Sequence, residues 1–349
     1  MLKATCRYPL NRILIKLSQN PPVWLSSELE RSMIPDTKVD AFTLRRRPVS
    51  EKLLDIGFRQ LTLGLACMVA AVLLGIFLSV LAGSREAISS FGLAFITTTA
   101  WDPITGTYGA FVAIYGTLVT SLLALLIAVP LGVGTAIFIT EDFIPMRFRE
   151  FIGLTVELLA AIPSVVLGVW AIFVMEPAIR PLLGLLHKAL GWMPIFSTTP
   201  QGPGTAPAIL ILVVMILPII TSLSRDALNQ VPTELRQAAY GIGTTRWGAI
   251  LSVVLPASIS PIIASVMLAL GRAMGETMAV TMIIGNSLNF SFSLLAPGNT
   301  ISSMIANQFG EADAIQVSAL MYAALILIIL TFVVNIGAQM LVRKLSLKY

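Results

Sequence analysis

Long apolar runs separated by short polar connections dominate the chain. A helix that crosses a bilayer needs roughly 20 mostly apolar residues, each adding about 1.5 Å of rise. Six stretches meet that demand, at 61–82, 111–139, 151–174, 208–222, 258–284 and 315–340. The fourth is short and runs into polar sequence at Ser224. The pattern therefore predicts an all-α integral membrane protein with six transmembrane helices. Pro130, Pro163, Pro218, Pro256 and Pro261 interrupt or end helices, which membrane spans tolerate when neighbouring groups satisfy the freed carbonyls.

Composition supports the same class. Hydrophobic residues make up 56% of the 349 and charged residues 12%, with a mean hydropathy of +0.87. A soluble domain carries about 25% charged residues. The net charge of +5 needs no nucleic-acid partner to explain it; its placement says more. Arg45, Arg46, Arg47, Lys52 and Arg59 precede the first span, and Arg147 and Arg149 lie between the second and third. Arg225, Arg236 and Arg246 lie between the fourth and fifth, and Arg343, Lys344 and Lys348 follow the last. The opposite connections hold Arg85, Arg180 and Lys188, and residues 285–314 hold no basic residue. The positive-inside rule then places both termini and the 225–256 connection in the cytoplasm.

Cys6 and Cys67 fall in a basic tail and in an apolar span, which suggests structural thiols and no disulfide framework. A single histidine, His187, argues against His-based metal or triad chemistry and reads as a surface residue. Residues 1–50 form a cytoplasmic tail, either disordered or, through Leu10, Ile13, Leu14 and Leu17 at helical spacing, a membrane-surface helix. The tail has no apolar core of signal-peptide length, so no cleavable leader is expected, and Met33 is an alternative start.

Two polar stretches carry the functional information. In the first, Pro232 suits the start of a helix in which Glu234, Leu235, Gln237, Ala238 and Ala239 are good formers. Alanines on one side allow close approach to another protein. Gly241 and Gly243 can end that helix with positive φ, and Thr244 or Thr245 can cap a second one running toward Pro256. In the second, Arg272 and Glu276 are four residues apart, so an unbroken helix puts them on one face as an ion pair. Charges inside a span cost about 2.5–3.5 kcal/mol on insertion scales and usually mark a path or an interior. Gly271 and Gly275 permit close helix approach, and Thr277 and Thr281 add hydroxyls nearby. Either Arg272 meets an anion or the pair locks helices together; both readings stay open. Pro163-Ser164 breaks the third span, exposing backbone groups to a ligand or kinking the helix for packing. Glu157 faces either the path or the cytoplasmic interface.

The order in residues 237–256 is two alanines, then Gly243, Val253 and Leu255-Pro256 at fixed gaps. It closely resembles the coupling (EAA) loop of ABC importer permeases. That resemblance implies a separate ATPase engaging Glu234, Gln237, Ala238, Ala239 and Gly243. Gln237 stands where the family usually has glutamate, and Glu234, on nearly the same face, can substitute electrostatically. No Gly-x-x-x-x-Gly-Lys-Ser/Thr occurs, so this chain is not the ATPase.

Gly271-Arg-Ala-Met-Gly-Glu-Thr-Met-Ala-Val-Thr-Met-Ile-Ile-Gly-Asn286 resembles the fifth helix of PstC-type permeases of the phosphate-specific transport system, and residues 91–103, 114–121 and 160–168 resemble the same family. The resemblance covers about residues 50–349. It implies the type I ABC importer permease fold over 51–349 in a bacterial inner (cytoplasmic) membrane. It also implies a second, PstA-type permease, two ATPase subunits and an extracytoplasmic phosphate-binding protein. This chain would bind no cofactor, ATP and Mg²⁺ being used by the partner. Arg272 and Glu276 match charged residues implicated in phosphate passage, with Thr277, Thr281 and Ser164 along the same path. Other classes weighed are an importer of molybdate or sulfate, an intramembrane enzyme using Glu157, Glu276 and Arg272, and a channel. An enzyme lacks any paired-aspartate, Ser–His or His-Glu-x-x-His arrangement, and a channel needs no coupling loop.

Overall fold

The computed structural model describes residues 49–346; the expectations for the tail before them, Cys6 and Met33 included, lie outside that range. By its contacts the chain divides after Ala70. Helix α1 (Val49–Gly83) exposes its apolar side chains from Leu54 to Ala70. Beyond that division, Val80 and Leu81 join a core cluster, and Gly83 lies against Met321.

Among the described residues, six helical runs are long and apolar enough to cross a membrane, the number expected. The first and fourth runs extend past their expected ends, to Leu54–Gly83 and Thr205–Asn229, so the fourth is not short and continues through Ser224; the third and fifth move for local reasons. The third run was expected over 151–174. Instead α5 (Met146–Ala161) stops, Ile162 and Pro163 are extended, and the crossing run is Ser164–Leu190. Proline has no N–H and disfavours helical geometry at the residue before it, so it overrides the continuous hydropathy. That crossing run comprises α6 (Ser164–Trp170), one π-helical turn over Ala171–Met175, and α7 (Glu176–Leu190). The fifth run was expected over 258–284. It instead spans Arg246–Gly275, with a second π-helical turn at Ile250–Val254 just before Pro256. A π turn shifts the bonding by one residue, which accommodates a missing N–H. Pro130, Pro218 and Pro261, by contrast, lie inside continuous helices.

Helix α4 (Phe111–Thr140) packs along α8 (Thr205–Asn229), the most enclosed of the long helices. Their close approach depends on Gly132, where an added Cβ would sit 2.8 Å from Ile220. Around them, α6, the first π turn, α11 (Leu255–Gly275) and the short α12 (Met278–Ile283) complete one core cluster. A second cluster joins α2 (Arg85–Phe91), α3 (Ala94–Thr97), the start of α4, α13 (Ile301–Gln308) and α14 (Ala314–Ser346). It also includes a small hairpin, β1 (Trp101–Asp102) and β2 (Thr107–Tyr108), paired Trp101 to Tyr108 with ring centroids 4.9 Å apart.

The segment after α12 is no open loop. Gly285 and Asn286 both have positive φ and turn the chain back over α4. Gly116 of α4 admits the Asn299 carbonyl so closely that a Cβ there would lie 1.9 Å from it. Thr300 and Ser303 then cap α13 reciprocally, and Thr117 accepts from the Ile301 N–H at 3.0 Å. Asn299, Thr300 and Ser303 answer one another within this return, which lets polar sequence occupy the interior, while the buried Asn286 side-chain oxygen has no partner among the described residues.

Candidate functional site

Helix α9 (Thr233–Gly241) and helix α10 (Arg246–Ala249) form the helix–turn–helix read from the sequence. Pro232 stands immediately before α9 in extended geometry. Of the two candidate glycines, Gly243 takes the positive φ, +85°, while Gly241 closes the helix with ordinary geometry. Thr245 is the N-cap of α10, accepting from the Gly248 N–H at 3.1 Å. Thr244 instead donates its hydroxyl to the Ala239 carbonyl at 2.7 Å, tying the turn to α9.

The five candidate coupling residues do not share one surface. Glu234, Gln237, Ala238 and Gly243 are exposed. Ala239 is 4% exposed, so its small size serves packing within this chain, contrary to the expected outward role. Beside the exposed polar residues stand Leu235, Tyr240, Ile242 and Trp247, all exposed large apolar side chains. Sequence reading missed this apolar surround; Ile242 between two glycines was its available sign.

The expected Arg272–Glu276 ion pair does not form. Helix α11 ends at Gly275, and Glu276 is extended (φ −66°, ψ 123°), so an i,i+4 argument no longer applies. Glycine costs helix stability, and the last carbonyls find other partners: Ser302 of α13 donates to Met274 at 3.2 Å and Thr277 to Gly275 at 3.1 Å. Thr281 donates to the Thr277 carbonyl at 2.6 Å. Both threonine hydroxyl protons are therefore engaged with backbone and are not free for an anion. Arg272 is exposed and Glu276 half-buried, and neither has an ion pair or hydrogen bond among the described residues.

Ser164 opens α6 directly after the other break. It is half-buried, and its hydroxyl makes no hydrogen bond among the described residues. The two breaks are neighbours. Gly168, one turn into α6, lies against Ala279 and Met282 of α12, with a hypothetical Cβ 3.0 Å and 2.8 Å away. The contact joins the helix that Ser164 opens to the helix that follows the break after Arg272. Glu157 is exposed and pairs with Arg225 of α8 at 3.4 Å. His187 is half-buried, its Nδ1 2.8 Å from the Phe196 carbonyl oxygen, and is more constrained than a plain surface residue.

Residues 128–347 match the family of binding-protein-dependent transport system inner membrane components. The chain is 45% identical over 298 residues to the phosphate transport system permease protein PstC of Mesorhizobium japonicum, covering 83% of this chain and 91% of that protein. Against the protein of the same name from Haemophilus influenzae it is 41% identical, covering 87% and 98%. The chain belongs to the PstC-type phosphate permeases. It is a transmembrane permease subunit of an ATP-driven phosphate importer and not an enzyme; ATP hydrolysis in these importers belongs to separate ATPase subunits. The fold agrees with a chain of a bacterial ABC transporter involved in importing alginate, at TM-score 0.55 and 17% identity, covering 84% of this chain and 99% of that one.

Proposed function

We propose that phosphate passes this permease beside Arg272, and that α9–α10 is the surface on which the ATPase pulls. The carrying observation is the Arg272 guanidinium in a membrane-crossing helix, exposed next to a helix break and without a carboxylate partner among the described residues. A permanently paired arginine attracts an anion weakly; an unpaired one retains its five donors and full charge. Its cost in the bilayer is supportable only where water, a substrate or another protein meets it. Ser164 contributes a neutral hydroxyl donor across the adjoining break. Glu276, unpaired and half-buried, repels the anion and so limits how long it stays.

In this reading the face is completed by a second, PstA-type permease, and two ATPase subunits engage the exposed Glu234, Gln237, Ala238 and Gly243 from the cytoplasm. The basic residues on that side support both the cytoplasmic placement and a bacterial inner membrane. ATP with Mg²⁺ is bound by the ATPases and not by this chain. An extracytoplasmic phosphate-binding protein delivers the cargo, as one similar alginate transporter, with TM-score 0.57, was solved with a substrate-bound periplasmic protein. Closure of the ATPases moves α9–α10, and the permease pair alternates between its two openings.

The test is radiolabelled phosphate uptake in cells that lack this chain and any other phosphate importer. Restored phosphate uptake on supplying the chain supports the reading. Uptake of molybdate or sulfate in place of phosphate would refute the assignment of cargo.

A further inference from the structure

The connection between α4 and α5 grips the α9–α10 element at both of its helices. Glu141, directly after α4, pairs with Arg236 of α9; their side chains are 12% and 18% exposed. A second nitrogen of Arg236 donates to the Leu228 carbonyl of α8 at 2.7 Å. The Asp142 carbonyl accepts from Arg246, the first residue of α10, at 3.0 Å. The Asp142 carboxylate is held by Arg149 of α5 at 2.6 Å. Phe143 stacks on Trp247 of α10 with centroids 5.2 Å apart, and on Phe138 of α4 at 6.3 Å.

Chain connectivity ties α9–α10 to α8 and α11, not to α4 or α5. A pull on α9–α10 therefore reaches the break at Glu276 through α11, while the break at Ile162–Pro163 is reached only across packing contacts, those of α8 on α5 and those of the α4–α5 connection on α9–α10. The helices that follow the two breaks touch at Gly168, which packs against Ala279 and Met282. We propose that Glu141, Asp142 and Phe143 form a second transmission arm, which makes α4 and α5 follow α9–α10 so that both helix breaks shift as one. The enclosed ion pair suits this use, since salt screens it far less than an exposed one. Glu141 and Arg236 are positioning residues, touching neither cargo nor nucleotide. The inference rests on α9–α10 being the ATPase docking element.

The experiment uses the whole transporter in proteoliposomes with phosphate-loaded binding protein, measuring phosphate uptake and ATP hydrolysis together. Glu141→Gln and Arg236→Gln should each lower phosphate moved per ATP by about fivefold or more, the low end of coupling between sites. The reversed pair, Glu141→Arg with Arg236→Glu, should recover most of that ratio. An unchanged ratio in the single variants, or no recovery in the reversed pair, overturns the proposal.

A second version replaces the ion pair with a covalent link. Glu141→Cys and Arg236→Cys, with Cys6 and Cys67 changed to serine, are joined by a short bis-maleimide. Continued coupled transport after bridging supports an arm that moves as one body, and a stalled transporter contradicts it. Ala238→Arg, exposed and away from the arm, separates the docking reading from this one. Loss of coupling there and in the Glu141 and Arg236 variants supports both. Loss only in Ala238→Arg removes the arm alone. Full coupling in Ala238→Arg removes the docking reading, and the arm with it.

Discussion

Charges at the α9–α10 end of the permease and charges at the α11–α12 break are treated in opposite ways. At the first, Arg236 meets Glu141, Arg149 meets Asp142 and Arg225 meets Glu157, all within this chain. At the second, Arg272 and Glu276 are close in sequence and of opposite sign, yet the helix ends between them and leaves both without a partner among the described residues. Paired charges fix one geometry, which suits an element that transmits force. Unpaired charges in a membrane-crossing region cost free energy at rest and suit a place where something else supplies the counter-charge. The backbone break, more than residue choice, decides which of these two states an Arg–Glu pair adopts.

The largest loss of stability should come from the enclosed pair. Glu141→Ala leaves the partly buried Arg236 without its carboxylate, at a cost of about 1–3 kcal/mol, seen as a lower unfolding temperature of the purified complex. An unfolding temperature equal to the parent's would erase the contrast between the two regions. Next comes a pair of neighbours: Ala239→Leu should cost about 1–3 kcal/mol by overfilling the α9–α10 turn. Ala238→Leu should leave stability within about 0.5 kcal/mol while weakening ATPase co-purification. Equal thermal shifts in both variants would show that Ala239 is not specially enclosed.

The exposed Arg225–Glu157 pair should matter little, and Glu157→Gln should change stability by less than about 1 kcal/mol by the same thermal assay. A larger drop would mean that exposure is a poor guide to which pairs are structural. The smallest effect lies outside both regions. The Thr105 hydroxyl and then the Ile104 N–H hold the Asp102 carboxyl below its ordinary value of 3.8. A depressed folded pKa means the carboxylate stabilises the hairpin above pH 3.8, and that contribution fades as pH falls further through the folded value. Asp102→Asn should lose this slight acid sensitivity, readable as a flattened exchange rate of the Ile104 amide below pH 4, about the unperturbed carboxylate range.

The number of spans was legible because hydropathy integrates over some 20 residues and survives local error. The breaks were harder. Apolar sequence continues across Pro163, and only the steric demand of proline on Ile162 marks where α5 must stop. The Arg272–Glu276 spacing invited an ion pair because helical continuity was assumed across Gly275, although that glycine and the hydroxyls at Ser302 and Thr277 make a stop inexpensive. The arm around Glu141 joins residues 95 positions apart and leaves no local sign. Residues 285–314 read as a loop because the hydrogen bonds among Asn299, Thr300 and Ser303 exist only after folding. Within the coupling element, Gly243 and the Thr245 cap were legible; the inward turn of Ala239 depends on tertiary packing.

The most direct test of the account replaces Arg272 with glutamine in the assembled transporter and follows phosphate uptake, ATP hydrolysis and thermal stability in one preparation. Removing an unpaired guanidinium leaves no orphaned partner, so stability should stay within about 0.5 kcal/mol. Hydrolysis should continue and phosphate uptake should fall by at least tenfold, about 1.4 kcal/mol of lost interaction. Uptake at the parent's rate, or a loss of uptake explained by a destabilised complex, would contradict Arg272 as the residue that meets phosphate.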